Sequence, residues 1–299
     1  MRIRLTLQTK ETGPNIIPVN YAYEISSWIY HTLAKGNKDF ADQLHAHGYI
    51  SGTRQFKFFC FSPLQFERGA FAIRQDRLVI MSGKVGLELS FLIPIALQHF
   101  VQGLFCQELF TLGDKISQTQ FIVSSAEILP PLAISNSISL QATGPLVISR
   151  FRGNGQAAEY LTPEHNDFER IFFDNLTRKY AAAIQAGLIK PCQEPENVEE
   201  MKIKLCGSIR KKGIQIKAGS QSATHIIGYQ FAFQLSAPCE LIQLGYYAGF
   251  GEKNSLGFGY CNSISNTKMK SNTEYQSEIR KARESGTHKE NSEMVPPVF

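Results

Sequence analysis

The stretch "GYYAGFGEKNSLGFGYC", residues 245–261, sets five glycines (Gly245, Gly249, Gly251, Gly257 and Gly259) around a short charged and polar insert. Glycine loses the most backbone entropy on folding, so such a cluster points to positive-φ turns or to a ligand lying against the main chain, and phosphate is the usual candidate. A wide surface turn would use the same residues. Two known phosphate motifs can be tested directly. The dinucleotide pattern G-x-G-x-x-G fails, because Gly249 and Gly251 require a glycine where the chain has Asn254, and no glycine is followed by the Lys-Ser/Thr pair of a Walker A loop. The order is also wrong, since these glycines run from an expected helix into a strand whereas both motifs run from strand into helix.

A second chemical signal is the distribution of charge. The formal net charge of +5 over 299 residues is mild, but Asp and Glu are absent from 201–239, 128–158 and 43–66. Those windows hold Lys202, Lys204, Arg210, Lys211, Lys212 and Lys217; Arg150 and Arg152; and His45, His47, Arg54 and Lys57. Acid-free basic segments that converge in a fold are the footprint of a polyanion binder; an ordinary solvated surface is the alternative. Six scattered cysteines without a CxxC pair argue against a zinc cluster and a disulfide framework, and neither metal nor cofactor is expected. The apolar run "LSFLIPIALQHFVQGLF" is broken by Pro94, Gln98, His99 and Gln102 and reads as a buried helix, so no membrane span is expected. With no secretory signal in "MRIRLTLQT", the cytoplasm is the expected location.

The elements that must position these groups follow from periodicity. Ile3, Leu5 and Leu7 alternate with Arg2, Arg4 and Thr6 as in a half-buried strand. A helix is expected from an Asn20 cap through Tyr21, Ile25, Trp28, Ile29 and Leu33 to Gly36, then a short helix at "KDFADQLHA" and an aromatic strand "QFKFFCF". A strand near 78–81, the apolar helix of 90–106 and a strand at 120–127 complete a β-α-β-β-α-β order over 1–128. After the connector "LPPLAISN" the order recurs over 137–265. It comprises a strand near 145–150, a helix capped by Thr162 and Pro163 with Phe168, Ile171, Phe172, Leu176 and Tyr180 on one stripe, strands at "MKIKLCGSI" and "IGYQFAFQLS", a helix in "PCELIQLGYYAG" and a last strand "GFGYCNSI". The fold class is therefore α+β, with two tandem ferredoxin-like domains and a C-terminal glycine-rich loop. Residues 266–299, with six Lys or Arg and five Asp or Glu, read as a flexible polar tail.

"GYYAGFGEKNSLGFG", with "GIQIKAGSQSATHIIGYQFAF" upstream, resembles the C-terminal signature of the CRISPR-associated repeat-RNA endoribonucleases, the sixth Cas family of the repeat-associated RNA-binding superfamily. The resemblance covers most of residues 1–264. It implies the same double ferredoxin-like fold and a glycine-rich loop packed between the domains that brings backbone N–H groups to RNA. The family's L-H-x-x-G pattern, followed by an aromatic strand ending S-P-L, is matched by "LHAHGYISGTRQFKFFCFSPL".

The resemblance implies His45 as the general acid or base, Lys57 as a charge-stabilising cation and Tyr30 as a residue beside the histidine. The bland readings are a helix-end histidine on the surface, a solvated strand lysine and a packing tyrosine. Histidine suits proton transfer because its unperturbed pKa, about 6.5, lies near working pH. On a helix His45 and His47 point about 200° apart, so one phosphate can hardly be addressed by both. Arg150, Arg152, Arg210, Lys211, Lys212 and Lys217, with Gly249, Gly251, Lys253, Asn254, Gly257 and Gly259 of the loop, are the expected RNA contacts.

The implied function is metal-independent cleavage of CRISPR repeat RNA in the precursor transcript, by 2′-hydroxyl attack leaving a 2′,3′-cyclic phosphate and a 5′-hydroxyl. The rival is a non-catalytic subunit of the same superfamily that retains processed RNA in an effector complex. Expected partners are the repeat RNA and, as candidates, other Cas effector subunits or a second copy of the chain.

Overall fold

The protein is described here by a computed structural model covering residues 1–10, 15–106, 109–153, 157–190, 201–217 and 223–264; the 266–299 segment lies outside the described residues. In chain order the first half contains β1 (Arg2–Thr9), β2 (Asn15–Pro18), α1 (Ala22–Gly36), α2 (Lys38–Ala46), β3 (Tyr49–Ser51), β4 (Arg54–Phe56), β5 (Phe59–Phe61), β6 (Phe71–Arg74), β7 (Arg77–Ile80), β8 (Lys84–Phe91), α3 (Pro94–Phe105), β9 (Leu109–Gly113) and β10 (Gln118–Ile128). The second half contains β11 (Ser137–Ala142), β12 (Ser149–Arg150), β13 (Glu159–Tyr160), α4 (Phe168–Gln185), β14 (Lys202–Ile216), β15 (Thr224–Ser236), α5 (Cys239–Ala248), a 3₁₀ turn (Asn254–Leu256) and β16 (Cys261–Ser263).

Two antiparallel sheets carry the architecture, ordered β5-β8-β1-β10-β9 and β14-β15-β11-β16. In each, the strands of a β-α-β-β-α-β unit lie in the spatial order second, third, first, fourth, which is the ferredoxin-like arrangement; β9 extends the first sheet at one edge. Small sheets β2-β7-β6 and β3-β4 decorate the first unit. One apolar core runs through both units, from Ile3, Leu5 and Leu7 to Phe233, Leu235 and Phe250.

Several elements differ from the sequence reading. The strand near 78–81 exists as β7, but it pairs with β2 and β6; the third strand of the main sheet is β8, whose Val85, Leu87, Leu89 and Phe91 are buried. The first strand of the second unit is β11, not a strand at 145–150, where only the two-residue β12 pairs with β13. Helix α1 is capped at Tyr21, not Asn20, and α4 starts at Phe168 because Thr162–Asp167 forms a turn in which His165 accepts the Asp167 amide. Gly36 has a use beyond stopping α1: a Cβ there would meet the His99 carbonyl, and one on Gly103 the Thr32 carbonyl, so the two glycines allow α1 and α3 to lie in direct backbone contact.

The units are joined by a buried cation. Arg2 reaches out of β1 between the rings of Tyr246 and Tyr260, 3.4 and 4.3 Å from their centroids, and donates to Tyr246 O, Cys261 O, Asn262 Oδ1 and Tyr260 Oη. Tyr260 Oη in turn donates to Glu88 Oε2 at 2.7 Å, and Arg4 binds Glu88 Oε1 at 2.7 Å. A largely buried ionic network of this kind, in which both terminal nitrogens of the Arg2 guanidinium are hydrogen-bonded, fixes geometry, because any shift of one unit would leave charges unpaired.

Candidate active site at the domain seam

Helix α2 owes its position to Leu44, which is buried, and its end to Gly48, which adopts φ 59° and donates its amide to Gln43 O. That is a glycine C-terminal stop. The same glycine leaves room for Lys57: a Cβ at position 48 would lie 2.9 Å from Lys57 Cδ and 3.1 Å from its Nζ. The chain then returns through β3 and β4, and the expected aromatic strand "QFKFFCF" breaks into β4 and β5 around Lys57 and Phe58. Phe58 is buried at φ 53°, a conformation that costs a bulky residue energy and that persists where packing over-determines it. Its ring is held against Phe56 and Tyr49.

Three of the residues expected at the site come together. His45 on α2 meets Tyr30 of α1 edge to face, with ring centroids 4.8 Å apart and planes at 89°, and Tyr30 also packs on Phe59. Lys57 Nζ donates to the His45 carbonyl at 2.8 Å. They line a cleft of about 390 Å³ with Tyr23, His31, Asp42 and, from the glycine-rich loop, Ser255 and Leu256. Burial pushes the Tyr30 phenol up to about 12, against a smaller opposing effect of its hydrogen bond with the Ser255 side chain. Burial also lowers the Lys57 ammonium from its ordinary value. At neutral pH Tyr30 is therefore a neutral hydrogen-bond donor, and Lys57 has two N–H groups left after serving the His45 carbonyl. His47 is the C-terminal cap of α2 and is not among the residues of this cleft.

A second cleft of about 300 Å³ shares Lys57 and Ser255 with the first and continues across the seam past Arg54, Asn175, Lys179, Glu252, Lys253 and Asn254. The glycine-rich loop thus forms one wall of both. Gly249, Gly251, Gly257 and Gly259 have φ between 67° and 88° and are buried. A Cβ on Gly257 would lie 2.8 Å from the Phe61 ring and 3.3 Å from Ala22 Cβ, so the loop backbone lies directly against the first unit at this glycine.

The expectation that the loop glycines bring amides to RNA is corrected at Gly257 and Gly259, whose N–H groups donate to Asn254 O and Pro145 O. The Asn254 side chain is likewise engaged, donating to Phe250 O and Phe258 O and accepting from Lys179. Lys253 is exposed, at φ 59°.

The remaining expected contacts fall into two groups. Arg150 and Arg152 are exposed but ion-paired, both with Glu159 and Arg150 also with Asp167. Arg210, Lys211, Lys212 and Lys217 are exposed along β14 and its end, in the β14–β15 hairpin. That hairpin leans over the seam, placing Lys217 Nζ 5.8 Å from the centroid of Tyr23, a cleft residue of the first unit.

Sequence reasoning placed Arg54 only within a basic window and missed Ser255 and above all Lys179. Lys179 is 2 % exposed, and burial lowers its ammonium to about 7. It did leave a signal: Phe168, Phe172, Asn175 and Lys179 are spaced four, three and four apart, which puts a charge on the apolar face of α4.

Two ferredoxin-like sheets joined by a buried ionic network, with a histidine–lysine cleft walled on one side by a glycine-rich loop, define a tandem ferredoxin-like protein. Residues 16–127 match the family described as CRISPR-associated protein Cas6, N-terminal, and residues 129–263 the family described as CRISPR associated protein Cas6, C-terminal. The chain belongs to the Cas6 family. It is 29 % identical over 272 residues to a CRISPR-associated endoribonuclease Cas6 of Methanocaldococcus jannaschii, covering 90 % of this chain and 95 % of the relative. A solved Cas6-related protein from Pyrococcus furiosus shares the fold, with TM-score 0.71 and 21 % identity over 89 % of this chain and 99 % of that one. A solved RAMP protein binding different RNA substrates does so at TM-score 0.70 and 20 % identity over 89 % and 100 %. No helix among the described residues is long and apolar enough to cross a membrane.

Proposed function

We propose that the protein is an endoribonuclease that cleaves CRISPR repeat RNA within the precursor transcript, without a metal ion. The observation that carries this reading is the meeting of Tyr30, His45 and Lys57 in one open cleft at the seam of a tandem ferredoxin-like fold. In the proposed reaction the 2′-oxygen upstream of the cut bonds to phosphorus while the bond from phosphorus to the 5′-oxygen breaks. The products are a 2′,3′-cyclic phosphate and a 5′-hydroxyl. One proton leaves the 2′-hydroxyl and one is delivered to the 5′-oxygen; His45 handles one of these transfers, as general acid or base. The two free N–H groups of Lys57 face the charge that grows on the phosphate oxygens, and the neutral Tyr30 phenol adds a donor at the same wall. The exposed cations of the β14–β15 hairpin, Arg210, Lys211, Lys212 and Lys217, hold the RNA backbone.

The relatives named as Cas6 endoribonucleases support the reaction class. The test is labelled repeat RNA in excess EDTA: cleavage at close to the untreated rate is expected, and a 2′-deoxy nucleotide upstream of the cut should abolish it. Full cleavage of the deoxy substrate would sink the mechanism. Tight binding with no cleavage under any condition would favour a subunit that only retains processed RNA.

A further inference from the structure

A lysine is almost never fully buried unless its charge is answered. Lys179, on α4, is answered by oxygen atoms: Nζ donates to Gly249 O, Gly251 O and Asn254 Oδ1, each at 2.6 Å. An ammonium has three N–H groups and no acceptor, so these three oxygens complete it. All three belong to the glycine-rich loop. Asn254 extends the tie, since its Nδ2 donates to Phe250 O and Phe258 O, closing the segment 250–258 on itself. The next residue is Ser255, whose side chain hydrogen-bonds with Tyr30 in the cleft that holds His45.

We propose that Lys179 is a positioning residue for RNA cleavage: it clamps the glycine-rich loop so that Ser255 holds Tyr30 against His45. The proposal rests on the endoribonuclease reading above. Packing alone does not require a cation at this place, because Phe168, Phe172 and Leu176 already bury the α4 face and a methionine would fill similar space. What a methionine lacks is any donor for three converging oxygens.

The clamp has a pH limit. Burial lowers the ammonium to about 7, and above that pH the neutral amine offers two N–H groups to three oxygens. The titratable groups facing it are Cys60 of β5, Cys261 of β16 and Glu252 of the loop, while Arg54, Lys57 and Lys253 line the adjoining cleft. Burial pushes both thiols up, leaving them neutral across this range.

The experiment is single-turnover cleavage of labelled repeat RNA with a parallel binding titration, from pH 6 to 9, on wild type, Lys179→Met, Ser255→Ala, the double variant and His45→Ala. At pH 6 Lys179→Met and Ser255→Ala should each cut at least tenfold slower with Kd within threefold of wild type. The double variant should be no more than twofold slower than the slower single. The ratio of wild-type to Lys179→Met rates should shrink as pH rises through 7. Wild-type rates in either single variant, multiplicative losses in the double, or a ratio constant with pH would each overturn the clamp. If Lys179→Met does not fold, the wild-type to Ser255→Ala ratio carries the test: it should fall with pH, and a constant ratio overturns the proposal. A His45→Ala variant that cuts normally, or a wild type that does not cut, would instead overturn the endoribonuclease reading.

Discussion

The His45 imidazole and the Tyr30 phenol meet edge to face at 4.8 Å between centroids, on two helices whose connection is the single residue Asn37. Asn37 ends α1 and caps α2, its side chain accepting the Phe40 amide, so the angle between the helices is set by one capped turn. The rings are thereby held without any direct hydrogen bond between them, and the imidazole stays on the open side of the cleft, exposed.

That placement separates His45 from His47. His45→Ala should cut repeat RNA at least about 10²-fold more slowly while binding it almost as well as wild type. His47→Ala, altered only at the helix cap, should stay within a few-fold of wild type. Single-turnover cleavage beside a binding titration decides it, and the opposite ranking would move the proton-transfer role to His47.

Lys57 sets the alkaline behaviour. Burial lowers its ammonium, so its charge is present at low pH and is lost as pH rises, earlier than for an exposed lysine. An arginine stays charged throughout. The alkaline fall in cleavage rate should therefore move to higher pH in Lys57→Arg, and Lys57→Met should lose activity at every pH. An alkaline limb that stays in place in Lys57→Arg would assign it to another group.

Gly257 tests the seam. Its φ of 88° and the 2.8 Å approach of the Phe61 ring leave no place for a side chain. Gly257→Val should cost about 1–3 kcal/mol from backbone strain alone, lowering the melting temperature and the cleavage rate together. A variant that melts and cuts as wild type would show the loop to be a simple surface turn.

Glu88 ties the units by charge. Burial works against its carboxylate, but hydrogen bonds from Tyr260 and Arg4 and the nearby Arg4 and Arg2 charges outweigh that and hold its pKa below the ordinary value. A carboxylate depressed in the folded state contributes stability that is full above its unfolded pKa of about 4.3 and is lost as pH falls below it. Glu88→Gln should therefore be less stable than wild type by about 2 kcal/mol at pH 7. The difference should shrink in denaturant titrations below pH 4, and one that is the same at pH 7 and pH 3.5 would remove Glu88 from the network.

Much of this was legible because it is periodic or local. Ile3, Leu5 and Leu7 alternate, Ile25, Trp28, Ile29 and Leu33 follow a helix, and the order of elements repeats, so two β-α-β-β-α-β units could be read without coordinates. The strand β8 was hidden because its alternation from Val85 to Phe91 runs directly into the apolar residues of α3, and period alone does not say where a strand ends and a buried helix begins. The break at Phe58 was hidden for the opposite reason: "QFKFFCF" has strand composition, and only packing against Tyr49 and Phe56 holds the positive φ that turns Lys57 toward His45.

The sequence by itself determined the two folding units, the glycine stretch and the basic windows, since these depend on residue type and near-neighbour spacing, while the histidine segment stood out through its resemblance to a family pattern. Tertiary structure alone decided what the glycines are for. Their residue type shows only that the backbone must turn or be approached closely, and the partners that approach it, Phe61, Ala22, Val147 and Lys179, lie 70 to 235 positions away along the chain. The same holds for Arg2, which reads as an ordinary surface cation, and for Lys179, which shows in the sequence only as a charge on an apolar helix face, until distant carbonyls and rings close around them. A desolvated charge is stable only when its partners converge in three dimensions, and no spacing along the chain records that convergence.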